Sequence, residues 1–160
     1  MQAENILTNK LPRKGPTSNR VILQIENIVA TINIHIPIDL NHLLQLFHDV
    51  EKKDNFPGVI TKFTKPKATL LIFSSGKIVM TGVRLENHIP LIVEKILKKF
   101  KLAGIHAEET PEVKIENMVG RADFKTKINL DTSSLVLERA IYEPEVFPGL
   151  IYKVINPEKI

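Results

Sequence analysis

The segment Ile25-Glu26-Asn27-Ile28-Val29 returns later in the chain as Ile115-Glu116-Asn117-Met118-Val119, an offset of 90 positions. A second segment, Phe56-Pro57-Gly58-Val59-Ile60-Thr61-Lys62, returns as Phe147-Pro148-Gly149-Leu150-Ile151-Tyr152-Lys153, an offset of 91. The shared order and nearly equal spacing indicate a duplicated unit. Solenoid repeats are about 20–50 residues long, so a unit of this length is a small fold in its own right. The sequence therefore predicts two copies of one fold, related by a pseudo-twofold axis.

Composition limits the class of protein. The chain has 160 residues, of which 43% are hydrophobic, and this is enough to form a core. It contains no cysteine, which excludes disulfides, zinc–thiolate sites and cysteine nucleophiles and fits a reducing compartment. No apolar run approaches the roughly 18 residues of a membrane span, and we expect no signal peptide.

The net charge of +4 is concentrated at the N-terminus. Residues 1–20 hold four basic side chains against Glu4, or +3, which leaves +1 for the rest of the chain. We interpret residues 1–20 as a flexible, solvated arm. A prediction of nucleic-acid binding must therefore rest on one particular face of the fold.

Periodicity and turn signals divide the chain into a first repeat at 21–110 and a second at 111–160. In the first repeat, alternation predicts a strand over 25–36 with Ile28, Ala30, Ile32 and Ile34 buried. A helix capped by Asp39 should follow, and then a strand over 56–63. Two strands over 68–73 and 77–83 should be joined by a tight turn. The last element of this repeat should be a helix over 90–101, with Gly104 as its C-terminal cap. The second repeat should contain a strand over 113–124, a capped helix after Asp131 and a strand at its own Phe-Pro-Gly. This order predicts an α+β fold, with helices on one face of an antiparallel sheet.

The sheet face away from the helices has an unusual composition. Alternation places on it amides, threonines and small apolar side chains with little charge: Asn27, Val29, Thr31, Thr69, Leu71, Phe73, Val79, Thr81, Asn117 and Val119. Such a face is too apolar to be left to solvent. It matches the minor groove of A·T-rich DNA, which offers adenine N3 and thymine O2 acceptors and lacks the guanine amino group.

Other side chains fit the same partner, which is itself nearly twofold. Phe56, Phe73 and Phe147 are candidate wedges between base steps, and Lys62, Lys67, Lys77 and Lys153 are candidate phosphate contacts. Each feature alone has a simpler interpretation. Phe73 would more commonly be a core residue, Asn27 a turn or edge residue, and Lys95–Lys101 the solvated side of an amphipathic helix. Their joint occurrence in two copies favours DNA.

The residues also resemble the saddle-shaped core of the TATA-binding protein family over about residues 21–160. The resemblance rests on four segments: Glu-Asn-Ile-Val-Ala-Thr (26–31), Leu-Leu-Ile-Phe-Ser-Ser-Gly-Lys-Ile-Val-Met-Thr-Gly (70–82), Glu-Asn-Met-Val-Gly (116–120) and Tyr-Glu-Pro-Glu-Val-Phe-Pro-Gly-Leu-Ile-Tyr (142–152). It implies helices on the convex face of the saddle, DNA on the concave face, and kinking of DNA by wedges.

The resemblance implies roles for individual residues. Asn27 and Asn117 would lie at the centre of the DNA face, with Val29, Val119, Leu71, Val79 and Thr81 on the groove floor. Phe56 and Phe73 would be the wedge pair of the first repeat, and Phe147 one wedge of the second. Lys62 and Lys153 would contact phosphate. Glu143 and Glu145 would dock general transcription factor IIB, and the Lys95–Lys101 helix would face other initiation factors.

Three features depart from the family pattern. Arg121 stands where the family has a small Ser or Thr, and could either enter a narrow minor groove or obstruct the fit. Glu158 reverses a charge relative to its repeat equivalent Lys67. The family continues past Ile160 with two strands, a fourth wedge and a helix, so we expect an incomplete second repeat with an open strand edge. Such an edge invites pairing, including homo-oligomerisation.

These observations predict a promoter-binding initiation factor that recognises A·T-rich DNA by fit and deformation, with no cofactor and no membrane partner. The alternative is a shortened paralogue that binds transcription factors and bends DNA poorly. An enzyme is not expected, because the five histidines form no metal-ligand grouping and no phosphate-binding glycine loop is present. The expected location is the nucleus in a eukaryote, or the cytoplasm in association with the nucleoid in an archaeon.

Overall fold

The computed structural model describes residues 21–107 and 110–154. The expectations for the arm and for Glu158 therefore lie outside the described residues. The chain divides into two compact units, one formed by Val21–Asp123 and one that contains residues 124–154. The proposed repeat boundary at 110 and 111 stays a prediction from sequence. The first unit extends beyond that boundary because it includes the first strand of the second repeat.

The unit Val21–Asp123 is a six-stranded antiparallel sheet with two helices. Its elements are β1 (Ile22–Asn33), α1 (Leu40–Leu46), β2 (Val50–Lys52), β3 (Val59–Thr64), β4 (Lys67–Ile72), β5 (Lys77–Val83), α2 (His88–Leu102) and β6 (Glu112–Asp123). The strand order is β2-β3-β4-β5-β1-β6. Every neighbouring pair is antiparallel, as the α+β prediction requires.

The two copies of the repeated motif pair with each other. Ile28 of β1 lies opposite Met118 of β6, its own equivalent in the second repeat. On either side, Asn27 lies opposite Val119 and Val29 opposite Asn117. A local pseudo-twofold axis therefore passes between Ile28 and Met118.

The symmetry extends to the irregularities of this ladder. The register shifts between Ile25 and Asn27 and again between Val29 and Ala30. The first shift leaves Glu26 unpaired on β1, and the second leaves its equivalent Glu116 unpaired on β6. Each strand thus carries a β-bulge at the same position of the motif.

One face of the sheet forms the core with α2. Ile28, Ala30, Ile32 and Ile34 are buried, as their alternation predicted. The apolar stripe of α2 joins them in one cluster: Ile89, Ile92, Val93, Ile96 and Phe100. Each buried side chain of this size contributes about 1.5–3 kcal/mol, so this face stabilises the unit.

The local signals for turns and caps are largely confirmed. The Asp39 side chain accepts hydrogen bonds from the backbone N–H groups of Asn41 (2.9 Å) and His42 (3.2 Å), as an N-cap should. The turn between β4 and β5 closes through Phe73 N–H and Lys77 C=O at 3.0 Å. Gly104 follows α2 with a φ of +73°. None of the helices in the described part of the chain is long and apolar enough to cross a membrane.

Several sequence expectations were wrong in detail. The first strand, expected over 25–36, spans Ile22–Asn33. The strand expected from Phe56 begins at Val59, because Phe56 lies in a turn where its ring folds back over Gly58. Strand β2 was missed, since three residues are too few to show alternation. In the second repeat the helix does not follow Asp131. It begins at Leu130, the cap is Asn129, and Asp131 lies in the first turn.

The unit containing residues 124–154 is small. It comprises α3 (Leu130–Val136) and a two-stranded antiparallel pair, β7 (Ala140–Ile141) and β8 (Ile151–Tyr152). The Asn129 side chain accepts a hydrogen bond from Thr132 N–H at 2.9 Å. No residue of α3 is buried, and Leu135 is 87% exposed.

A polar contact ties α2 to the sheet. The Lys99 ammonium bonds both carboxylate oxygens of Asp49, and the buried Thr61 hydroxyl donates to the same carboxylate at 3.2 Å. Lys99 also lies over the Phe47 ring, 4.6 Å from its centre. Partial burial opposes ionisation of Asp49, but the hydrogen bonds and charge of Lys99 outweigh it and lower the pKa of Asp49 below its usual 3.8.

We predict that Asp49→Asn destabilises the protein at neutral pH, by less than about 1 kcal/mol because the carboxylate is more than half exposed. A lowered folded-state pKa contributes stability above the unfolded pKa, and this is lost as pH falls through the folded pKa. Urea denaturation at pH 7 and pH 3 should show the difference from wild type shrinking at pH 3. Asp54→Asn, in the next exposed loop, is the control. A difference that does not change with pH would contradict this role for Asp49.

Candidate nucleic-acid interface

The sheet face opposite the core is built from rows of directly paired residues. Side chains opposite each other in an antiparallel ladder point to the same face. One row runs across five strands: Ile60, Leu71, Val79, Thr31 and Lys114. A second row joins Lys62, Thr69 and Thr81. The predicted residues of β1, β4 and β5 therefore share one face, and most are half-buried.

Asn27, beside the pseudo-twofold axis, is held in one orientation. Its side-chain oxygen accepts a hydrogen bond from Gly82 N–H at 2.7 Å. Because a backbone N–H can only donate, this contact identifies the amide oxygen and places the NH₂ group on the other side. One NH₂ hydrogen is within reach of Thr81 Oγ1 at 3.3 Å. The second hydrogen is left to donate from the uncovered face.

The Gly82 contact depends on a backbone shape that favours glycine. Gly82 has a φ of +81°, which costs other residues about 1–2 kcal/mol. A Cβ at this position would meet only Thr69 N, at 3.9 Å, so the cost of substitution is conformational and not steric. Gly82 therefore orients Asn27 through its backbone.

We predict that Gly82→Ala destabilises the protein by about 1–2 kcal/mol and also frees the Asn27 amide, because the N–H donor moves. Gly104→Ala is a matched control, since Gly104 also has a positive φ and an open surrounding. Both variants should lower the melting temperature. Only Gly82→Ala should shift the side-chain NH₂ signals of Asn27 in an ¹⁵N–¹H spectrum. Equal spectral changes in both variants would contradict the proposed link.

The phenylalanines differ between the two copies. Phe56 and Phe73 form an edge-to-face pair with ring centres 5.6 Å apart, and both are half-buried. Phe147 repeats the fold-back of Phe56, because its Cε1 lies 2.7 Å from a Cβ built on Gly149, against 2.9 Å for Phe56 at Gly58. Phe147 is 51% exposed, and no aromatic ring pairs with it in the part of the chain that is described.

The predicted phosphate-binding lysines are all exposed. Lys62, Lys67 and Lys77 lie on the uncovered face by strand alternation, and all three are exposed. Lys62 is 3.8 Å from the Glu51 carboxylate, a weak and solvated pair. Lys153 is exposed in the unit that contains residues 124–154. Their charges are therefore available to a polyanion.

One acidic residue on this face was missed by sequence reasoning. Glu116 accepts a hydrogen bond from Thr31 Oγ1 at 2.9 Å and pairs with Lys114 at 3.1 Å. The Thr31 and Lys114 hydrogen bonds, with weaker charge effects of Lys114 and Lys77, lower the pKa of Glu116. Its position follows from the bulge in β6, which period-two alternation does not reveal. Ile60 and Lys114 were also missed, although alternation from Lys62 and pairing with Thr31 place them here.

The remaining predicted residues belong to other elements. Glu143 and Glu145 are exposed in the second unit, in the turn that precedes Phe147. On α2, Lys95 bonds the carbonyl of Lys65, Lys98 pairs with Glu94, and Lys99 pairs with Asp49. Much of the lysine charge on α2 is therefore used within the fold. Within residues 21–107 and 110–154, no group of three His, Cys, Asp or Glu side chains could hold a metal ion.

One class of DNA-binding proteins places the strands of a β-sheet in a DNA groove, and an antiparallel sheet with helices on one face and the other face uncovered fits that class. The family profile described as "Transcription factor TFIID (or TATA-binding protein, TBP)" matches residues 22–103 and 112–160. The chain belongs to the TATA-binding protein family.

Archaeal relatives are similar over most of the chain. A TATA-box-binding protein of Thermococcus sibiricus is 40% identical over 143 residues, which cover 89% of this chain and 77% of that protein. One from Aeropyrum pernix is 40% identical over 139 residues, covering 86% and 68%. The solved structure of Methanococcus jannaschii TBP matches with a TM-score of 0.74 and 40% identity, over 82% of this chain and 76% of that one. The α+β prediction is confirmed.

Proposed function

We propose that the chain binds A·T-rich TATA elements of promoter DNA through the uncovered sheet face, in the minor groove, and so nucleates transcription initiation. The orientation of Asn27 carries this proposal. Gly82 fixes the amide so that its NH₂ group donates from the centre of the face, where the minor groove of A·T pairs presents only acceptors. Asn117, the repeat equivalent of Asn27, lies opposite Val29 in the same ladder and would donate to the other half-site.

The rest of the face suits a groove floor without amino groups. Val29, Leu71 and Val79 present half-buried apolar surface, which gains by losing water to another flat surface. A guanine amino group would leave this surface with an unpaired buried donor, costing about 1–3 kcal/mol. Preference for A·T pairs follows from this penalty.

The phenylalanines would deform the DNA duplex. Apolar wedges inserted between base steps unstack them for a few kcal/mol and bend the duplex, as TATA-binding proteins are known to do. Flexible TA steps lower that cost, so bending adds a preference at positions that no side chain reads. Phe56 and Phe73, already paired edge to face, would enter as one wedge, and Phe147 would act at the second half-site. This mechanism needs no catalytic residue and no cofactor.

The alternative of a shortened interaction module is not favoured. Relatives at about 40% identity carry the name TATA-box-binding protein. Leu71, Val79 and Thr81 lie on the same sheet face as Asn27, and Phe56 pairs with Phe73 beside β4, which supports DNA binding over this alternative.

We predict that the protein binds a short TATA duplex more tightly than a G·C-substituted duplex and bends it. Fluorescence transfer between dyes on the two DNA ends would report the bend. Asn27→Ala should reduce discrimination between the duplexes, because a central donor is lost. Phe147→Ala should reduce the bend more than the discrimination. Leu135→Ala, at an exposed site of α3, is the control. Equal affinity for both duplexes without a bend would refute the proposed function.

A second part of the proposal concerns general transcription factor IIB. Glu143 and Glu145 are exposed, and the backbone carbonyl of Glu143 accepts hydrogen bonds from Val146 and Phe147 at 2.9 Å each. This turn therefore presents two negative charges in a defined geometry to a basic partner surface.

We predict that Glu143→Lys with Glu145→Lys prevents recruitment of factor IIB to the protein–DNA complex, because both charges are reversed. Glu138→Lys, at another exposed site in the same unit, should recruit normally. Mobility-shift assays with a TATA duplex would show binary and ternary complexes side by side. A normal ternary complex with the double variant would exclude this surface.

A further proposal concerns self-association. The strand order ends at β6, whose side chains Ile115 and Val119 are 38% and 45% exposed, so a second copy could pair along this edge. A monomer mass at every concentration in sedimentation would exclude this.

The relatives are archaeal, which supports action on nucleoid DNA in the cytoplasm. Exclusion of the protein from nucleoid fractions would contradict that location.

A further inference from the structure

We infer that Arg121 binds a backbone phosphate on one side of the pseudo-twofold axis, a contact that the other side does not make. This inference rests on the proposed function. Arg121 is the repeat equivalent of Thr31 at the offset of 90. In the ladder, Arg121 lies opposite Gln24 and Thr31 opposite Lys114, and the axis relates these two pairs. Each related pair thus holds one cation, Arg121 in one half and Lys114 in the other. The halves differ because Lys114 forms an ion pair with Glu116 at 3.1 Å, whereas the Arg121 side chain has no such partner in the described ranges.

The register puts Arg121 on the DNA face. Val119 lies opposite Asn27, whose amide belongs to that face. Arg121 is two residues further along β6, and alternate residues of a strand point the same way. Its side chain is exposed.

The chemistry of the Arg121 side chain favours a phosphate. Met118 stands at the axis, and Arg121 is three residues beyond it, roughly 10 Å at about 3.3 Å per residue. Phosphates line both walls of the minor groove, and a guanidinium binds them with paired hydrogen bonds.

Arg121 is also free to give its charge to DNA. Its backbone pairs with Gln24 in the ladder, but between residues of the described ranges the Arg121 side chain makes no hydrogen bond or ion pair. Two other cations of this unit are paired: Lys114 with Glu116 at 3.1 Å, and Arg84 with Glu26 at 2.9 Å. Thr31 donates its hydroxyl to Glu116. Asp123, the nearest acid along β6, has an interaction of its own.

The contact has a consequence for orientation. A twofold protein on a nearly twofold duplex binds equally well both ways round unless its halves differ. A phosphate contact made in one half only gives the complex a preferred direction when the backbone geometry of the site is itself asymmetric. Arg121 therefore contributes both to affinity for DNA and to a preferred direction of binding on the duplex.

Salt dependence of binding to one TATA duplex tests the charge. Arg121→Thr, which copies Thr31, should weaken binding several-fold at about 0.1 M salt and reduce the slope of log K against log salt by about 0.9, the value for one phosphate contact. Arg121→Lys should keep the slope, because an ammonium still neutralises a phosphate. Lys101→Thr is the control. It removes one positive charge from an exposed position of α2 and should leave the slope unchanged. Melting curves would confirm that all three variants fold.

Replacing single DNA phosphates by a neutral analogue tests which phosphate Arg121 contacts. Single methylphosphonates are introduced at each position of the duplex. One position in one half-site should weaken wild type but not Arg121→Thr, and its symmetric counterpart should affect both proteins alike.

The possible results separate the two proposals. If wild type binds TATA duplex selectively but Arg121→Thr has unchanged or tighter binding and the same slope, the phosphate contact is refuted. If Arg121→Thr binds DNA more weakly but no single methylphosphonate weakens wild type in the same way, the phosphate contact is also refuted, and Arg121 contacts a base instead. If wild type shows no selectivity, the proposed function fails and this inference falls with it.

Discussion

The pairing of β1 with β6 about Ile28 and Met118 is the constraint on which the rest of the interface depends. An antiparallel ladder maps onto itself under a twofold axis perpendicular to it, so two copies of one strand can pair only in this way without breaking their equivalence. The register then decides the chemistry. A slip of one residue would turn every side chain of β6 to the other face and separate Asn117 from Asn27. The bulges at Glu26 and Glu116 occur as an equivalent pair, so both strands keep their asparagines on the same face.

The two faces of this sheet have different roles because helix packing covers only one of them. α2 buries the isoleucines of β1, which leaves the alternate residues to face outward with no internal partner. The outward residues of β4 and β5, such as Leu71 and Val79, are supported from behind, since buried residues flank each of them. Asn27 shows the benefit. Its amide is fixed by a backbone N–H of the neighbouring strand, so little side-chain entropy remains to be lost on binding.

Sequence reasoning succeeded where the signal was local. The alternation around Ile28, the Asp39 cap and the stripe of α2 are periodic or contiguous patterns, and each appears in the structure. It failed where a feature needs knowledge of the partner strand. A bulge is a mismatch between two strands, so the placement of Glu116 beside Thr31 is invisible in either strand alone. The cap of α3 was misassigned because Asn129 and Asp131 both suit a cap, and only backbone geometry distinguishes them. For the site, face membership was predictable but the orientation of Asn27 was not, because it depends on Gly82, 55 positions away.

Duplication constrains the backbone of the two halves more tightly than their side chains. The ladder requires equivalent register and bulges, whereas a side chain on the open face has no symmetric partner to match. Glu26 and Glu116 illustrate this, because one pairs with Arg84 across to β5 and the other with Lys114 and Thr31 on the central pair. The same bulge therefore carries a different charge environment in each half. Within this ladder the backbones are equivalent and the charge environments are not, so side chains such as these can give the complex a preferred direction on DNA.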